Sequence, residues 1–226
     1  MYIVALMLIV LALLYAPQWW AQRVMRRHAG EQDHFQGTGG ELARHLLDRF
    51  DLQAVTVEVT EEGDHYDPLA KSVRLTRDKL DAKSLTAIAV ATHEVGHALQ
   101  DKLNYGPLLW RTRLARLVRV TEKLGSGVML LIPVLALVSR SPTVGLLVLI
   151  TGILSLLVGV LVHLVTLPVE WDASFRRALP LLEEGYISAA EQRAARTLLT
   201  AAAITYVAGS LAGLLNLWRW IAILRR

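Results

Sequence analysis

The sequence predicts a mainly α-helical integral membrane protein, with about four transmembrane helices and a small α+β polar part that contains a β-hairpin. Three observations carry this class. Of the 226 residues 54% are apolar, gathered into charge-poor runs near the ~20 residues that cross a bilayer. Arginines cluster at the ends of those runs, as topology signals do. Between the first and second runs lies a polar stretch whose periodicity switches between helix and strand.

Residues 1–21 carry no side-chain charge, close on Trp19 and Trp20, and precede Arg23, Arg26 and Arg27. They have neither the basic start nor the small-residue cleavage site of a signal peptide, so they read as an uncleaved anchor. Residues 22–123 form the polar part. Gly37-Thr38-Gly39-Gly40 interrupts the chain, and 41–51 then places Leu42, Leu46, Leu47 and Phe50 at helical spacing. Residues 54–60 alternate through Val55, Val57 and Val59, and 71–76 alternate through Val73 and Leu75. Both read as strands, paired in a hairpin across a loop of about ten residues, longer than usual. A helix capped near Ser84 should run to about Leu103.

Residues 124–139 are a short expected span and 143–167 a long one, interrupted by His163. Residues 168–197 are polar again, and 198–217 form the last expected span. His163 is a functional candidate by position, or a side chain that reaches the interface. Most span-flanking arginines lie on the side of the polar part, which places that side in the cytoplasm.

Net charge is +4, without a basic stripe interleaved with aromatics, so no nucleic-acid partner is expected. No cysteine is present, which excludes disulfides, thiolate metal sites and a cysteine nucleophile.

Residues 87–101, AIAVATHEVGHALQD, carry the chemistry. His93 and His97 are one helical turn apart and share a face, so one ion can take both. Glu94 lies beside them, where a carboxylate can accept a proton from water. The apolar residues 85–91 imply a buried helix, and buried histidines and carboxylates need partners. With nitrogen and oxygen donors only, zinc is the expected ion.

A third ligand has three candidate sources. Gln100 and Leu103 stand where a longer histidine motif needs glycine and histidine. Asp101 lies ~12 Å along the axis from His93, which suits a partner of His97 or a solvated helix end. Glu170, in Leu167-Pro168-Val169-Glu170, follows a long apolar run and a proline that suits a helix start. Its alternative is an ion pair with an arginine at the interface.

Four stretches together resemble a known family: 64–68 (DHYDP), 89–100 (AVATHEVGHALQ), 165–174 (VTLPVEWDAS) and 201–208 (AAAITYVA). They are similar, in order and separation, to the YugP-like neutral zinc metallopeptidases of bacterial membranes, distant relatives of HtpX-type peptidases. The resemblance implies a gluzincin-like part with one zinc ion held by His93, His97 and Glu170, and Glu94 as general base. It departs from the wider HtpX-type pattern at Ser174, where an aspartate is expected, so Asp172 becomes the alternative support.

The expected function is a zinc-dependent membrane endopeptidase in the bacterial inner membrane, acting on peptides or membrane proteins from the cytoplasmic side. The hairpin is a platform on which a substrate could add as a strand. His65, Tyr66, Arg176 and Tyr206 are candidate donors to a developing oxyanion. His65 and Tyr66 lead, because their loop is long and matches the family; local turn hydrogen bonding is the alternative. Asp64 and Asp67 suit a turn better than a second cation. The rival class is a non-catalytic membrane scaffold or chaperone with a structural metal, which would not need Glu94. A metal transporter would need more acidic or histidine residues inside the apolar runs.

Overall fold

A computed structural model describes residues 2–117, 143, 150, 161–162 and 164–204. In chain order these form α1 (Tyr2–Arg27), α2 (Gly39–Arg49), β1 (Thr56–Val59), β2 (His65–Asp67), β3 (Ser72–Leu75), the single turn α3 (Arg77–Leu80) and α4 (Leu85–Lys102). After them come α5 (106–117), α6 (164–171), a π-helical turn (Asp172–Ala178), α7 (Leu179–Glu183) and α8 (192–204).

The membrane class is corrected by this structure. Among the described residues no helix is long and apolar enough to cross a membrane, which overturns the expectation of about four transmembrane helices. What is described is a mixed fold, helices around a small sheet. The expected anchor does not end at residue 21. One helix continues to Arg27 with Pro17 inside it, and its last turns pack on the domain. Ala21 is buried, Val24 and Met25 lie against the core, and Met25 O accepts from Thr86 Oγ1 at 2.8 Å. The expected spans 124–139, 143–167 and 198–217 lie wholly or largely outside the described residues.

The hairpin is corrected too. β1 and β3 pair in parallel, Val57 beside Val73, and the strand order is β1-β3-β2. The true antiparallel partner of β3 is β2, with Tyr66 opposite Val73. It lies inside the stretch expected to be a loop. Three residues are too few for alternation to reveal a strand. Asp67 makes the reversal after β2, accepting from Leu69 N (2.8 Å) and Ala70 N (3.1 Å), and Lys71 takes a left-handed φ of 54°. Asp64 accepts from Thr76 N and Oγ1 at 2.6 and 2.8 Å, tying the entry of β2 to the exit of β3. Both aspartates thus serve turns.

Helix α4 is the element the others pack against. Ser84 caps it, accepting from Ala87 N at 3.1 Å, close to where the sequence placed its start. Every residue from 85 to 100 except Val90 is buried. α2 is amphipathic and drives Leu42, Ala43, Leu46 and Leu47 into a core shared with Val73, Leu75, Leu85, Ile88 and Val95. A capping box starts it: Thr38 Oγ1 accepts from Glu41 N and Glu41 Oε2 accepts from Thr38 N. α2 begins two residues earlier than its apolar pattern suggests, because Gly39 and Gly40 are its first turn. Gly39 is there for closeness: a Cβ on it would lie 2.3 Å from Lys79 O and 2.8 Å from Ala87 O.

Both atoms belong to backbone, which cannot move cheaply. Gly39→Ala is therefore expected to destabilise the protein by about 1–3 kcal/mol, despite alanine's better helix propensity. Denaturant unfolding of the two proteins checks this.

Candidate metal centre

His93, Gly96, His97 and Gln100 lie on one face of α4, at the spacing of neighbouring helical turns. That face meets α6 and the π turn. Gly96 sets the approach: a Cβ there would stand 2.9 Å from Ala173 O. Contact this close brings Glu170, at the end of α6, onto the two histidines. Glu170 Oε2 lies 3.1 Å from His93 Nε2 and 3.3 Å from His97 Nε2. One potential ligand atom from each of the three residues lies within 4.8 Å of the others. All three side chains are buried, Glu170 completely.

The hydrogen bonds behind the histidines decide which nitrogen carries the proton. Gln100 Nε2 donates to Val169 O (2.8 Å) and Asp172 Oδ2 (2.9 Å), both of which only accept. Gln100 Oε1 must therefore face His97 Nδ1, at 3.0 Å, and can only accept from it. His97 carries its proton on Nδ1, and its Nε2 presents a lone pair. Ser174 does the same for His93. Its Oγ lies 3.1 Å from His93 Nδ1 and donates its own proton to Leu199 O at 3.5 Å, leaving an oxygen to accept from Nδ1–H.

Two nitrogen lone pairs thus point at a carboxylate oxygen in a buried space. Three acceptors facing each other repel unless a cation lies among them. Two imidazoles and one carboxylate are a donor set that suits zinc, with room in a four-coordinate shell for one more ligand. Outward Nδ1–H groups held by an amide and a hydroxyl are the usual support of metal-binding imidazoles. The residues present fit the ion.

The π turn makes the arrangement possible. Leu179 N bonds to Ser174 O, a π spacing. Asp172 and Arg177, five apart, face each other with Arg177 Nε donating to Asp172 Oδ2 at 2.7 Å. Arg177, Asp172, Gln100 and His97 thereby form one chain of hydrogen bonds. Pro168 lies inside the helical run, not at its start.

The two glutamates of the site are driven in opposite directions. Burial pushes Glu94 up to about 7, with Glu170 and Asp64 adding to the rise and His93 and Arg111 opposing it. Burial also acts to raise Glu170, but the histidines, His97 first, outweigh it when they carry a proton on the nitrogen facing the carboxylate, and then hold it below the usual carboxylate range. Among the described residues Glu94 accepts no hydrogen bond, although it is buried. Glu170 Oε1 also accepts none, but Arg111 Nη1 stands 3.3 Å away as an ion pair. The arginine partner weighed for Glu170 is thus real, and it takes the oxygen that the histidines do not.

The other sequence candidates fall as follows. Tyr66 donates its hydroxyl proton to Asp101 Oδ2 at 2.6 Å, and burial, then Asp101, raises its pKa. His65 Nδ1 donates to Gly63 O at 2.8 Å. Asp101 also pairs with Lys71 and is not the partner of His97. Arg176 is exposed; His163 and Tyr206 lie outside the described residues. Gln100 and Ser174 were missed as supports, and Arg111 as a neighbour. For Gln100 a signal existed: it lies three residues from His97, on the same face. Ser174, which stands where the wider pattern has aspartate, holds His93 directly.

The family model described as "Putative neutral zinc metallopeptidase" matches residues 2–225. The chain belongs to this family. A protein of Bacillus subtilis (strain 168) named "Putative membrane protease YugP" is 38% identical over 188 residues, 82% of this chain and 80% of that one. No solved structure matches. The resemblance drawn from the four sequence stretches therefore holds.

Two substitutions test the geometry of this family member's site. Gly96→Ala should leave α4 helical by circular dichroism but weaken zinc binding at least about tenfold, since it parts α4 from Glu170. Gln100→Leu removes the acceptor of His97 Nδ1 and leaves Asp172 to Arg177 alone. Chelator competition is expected to show about a 10–100-fold loss of zinc affinity.

Proposed function

We propose that the protein is a membrane-associated zinc-dependent endopeptidase, with zinc held by His93, His97 and Glu170 and with Glu94 as general base. One observation carries the catalytic part. Glu94 is buried next to the ligand set, and that burial lifts its carboxyl to about 7, where it exchanges protons near neutrality. A structural metal site needs only its ligands, so a carboxyl tuned this way supports a proton-transfer task. Bound zinc supplies a Lewis acid that makes water more acidic and polarises a peptide carbonyl.

Glu94 then takes the proton of the attacking water and returns it to the leaving amine nitrogen. An acceptor near pH 7 suits both transfers. An extended substrate would add at β2, an outer strand of the three-stranded sheet among the described residues. Of the candidate oxyanion donors on β2, His65 is the better placed. Its bond to Gly63 uses Nδ1, whereas the proton of Tyr66 is committed to Asp101. The name of the Bacillus relative supports membrane association.

Glu94→Gln should keep stoichiometric zinc and lose at least about 100-fold in cleavage of a casein substrate. Glu170→Ala should lose the zinc itself. Unchanged cleavage by Glu94→Gln sinks the peptidase reading, and the structural-metal scaffold becomes the better account.

A further inference from the structure

We infer that Arg111 is a positioning residue that confines Glu170 to one-oxygen ligation and so keeps a ligand place at the metal open for water. The inference rests on the metal reading of this same site.

A carboxylate can give a metal one oxygen or two. With two imidazoles present, a two-oxygen carboxylate fills four positions, and none remains in a tetrahedral shell. Here the oxygens of Glu170 are not equivalent. Oε2 lies where the donors converge, 3.1 and 3.3 Å from the two Nε2 atoms. Oε1 is buried, accepts no hydrogen bond, and faces Arg111 Nη1 at 3.3 Å. A guanidinium at that oxygen competes with the metal for it by charge, and its permanent protonation makes the competition constant.

The fold delivers Arg111 deliberately close. After α4 the chain reverses at Asn104, which takes φ of 51°. Tyr105 N bonds back to Gln100 O at 2.9 Å. α5 then starts, anchored by buried Leu108, and Arg111 follows one turn later. The Arg111 side chain is 29% exposed while Glu170 is fully buried. The guanidinium therefore reaches inward from the rim to the metal ligand.

The test uses full-length protein loaded with cobalt(II), whose visible absorption reports coordination number, beside peptidase kinetics. Arg111→Gln removes the charge and Arg111→Lys retains it. The wild-type protein and Arg111→Lys should show the intense band of four-coordinate cobalt. Arg111→Gln should show the weaker band of five-coordination, with kcat down about tenfold or more and KM little changed. A visible spectrum of Arg111→Gln identical to wild type overturns the inference, whatever its activity. Equal spectral loss in Arg111→Lys also overturns it, because charge at Oε1 is then not the cause. If the spectrum shifts as expected but no variant cleaves peptide, the peptidase reading fails and the role of Arg111 stands.

Discussion

The structure depends on one unfavourable juxtaposition. Two imidazole lone pairs and a carboxylate oxygen are pressed together in a buried space, at separations close to hydrogen-bond length. No proton is available there in the tautomers that Gln100 and Ser174 impose. A divalent cation converts that repulsion into binding energy, and metal sites of this kind contribute to folding as well as chemistry. The surrounding features serve the same contact. Gly96 lets two helices touch through backbone. The π turn places Ser174 behind His93 while Glu170 stands in front of it. The chain from Arg177 through Asp172 and Gln100 holds the His97 ring.

Neighbouring carboxyls with opposite displacements divide the labour. The histidines lower Glu170 when they carry a proton toward it, whereas Glu94 is lifted by burial to where a carboxyl exchanges protons near neutrality. Two titratable groups driven apart by their environments are the usual mark of distinct roles.

Much of this was legible in the residues. Helix α4, its Ser84 cap and its two-histidine face follow from an uninterrupted apolar run and a four-residue spacing, both local signals. Glu170 was legible only as one of several alternatives, because 77 positions separate it from His93 and no periodicity spans that distance. The supports were harder. Gln100 reads as an ordinary helix residue until Val169 O and Asp172 show which way its amide must face. Ser174 reads as a lost aspartate until the π turn brings it to His93. The sheet was misread because parallel β1–β3 pairing passes through β2, three residues too short for a pattern. Of the first expected span, Ala21 is buried in the protein's own core, whereas Tyr15 and Trp19 are exposed.

The central claim concerns the ion, and zinc-edge X-ray absorption on the purified full-length protein tests it most directly. The account predicts one zinc per chain, with two imidazole nitrogens and carboxylate or water oxygens at about 2.0–2.2 Å. It further predicts loss of the imidazole scattering pattern in a His93→Ala, His97→Ala double variant. Absence of stoichiometric zinc after zinc-supplemented purification, or an ion whose imidazole scattering survives that double substitution, would contradict it.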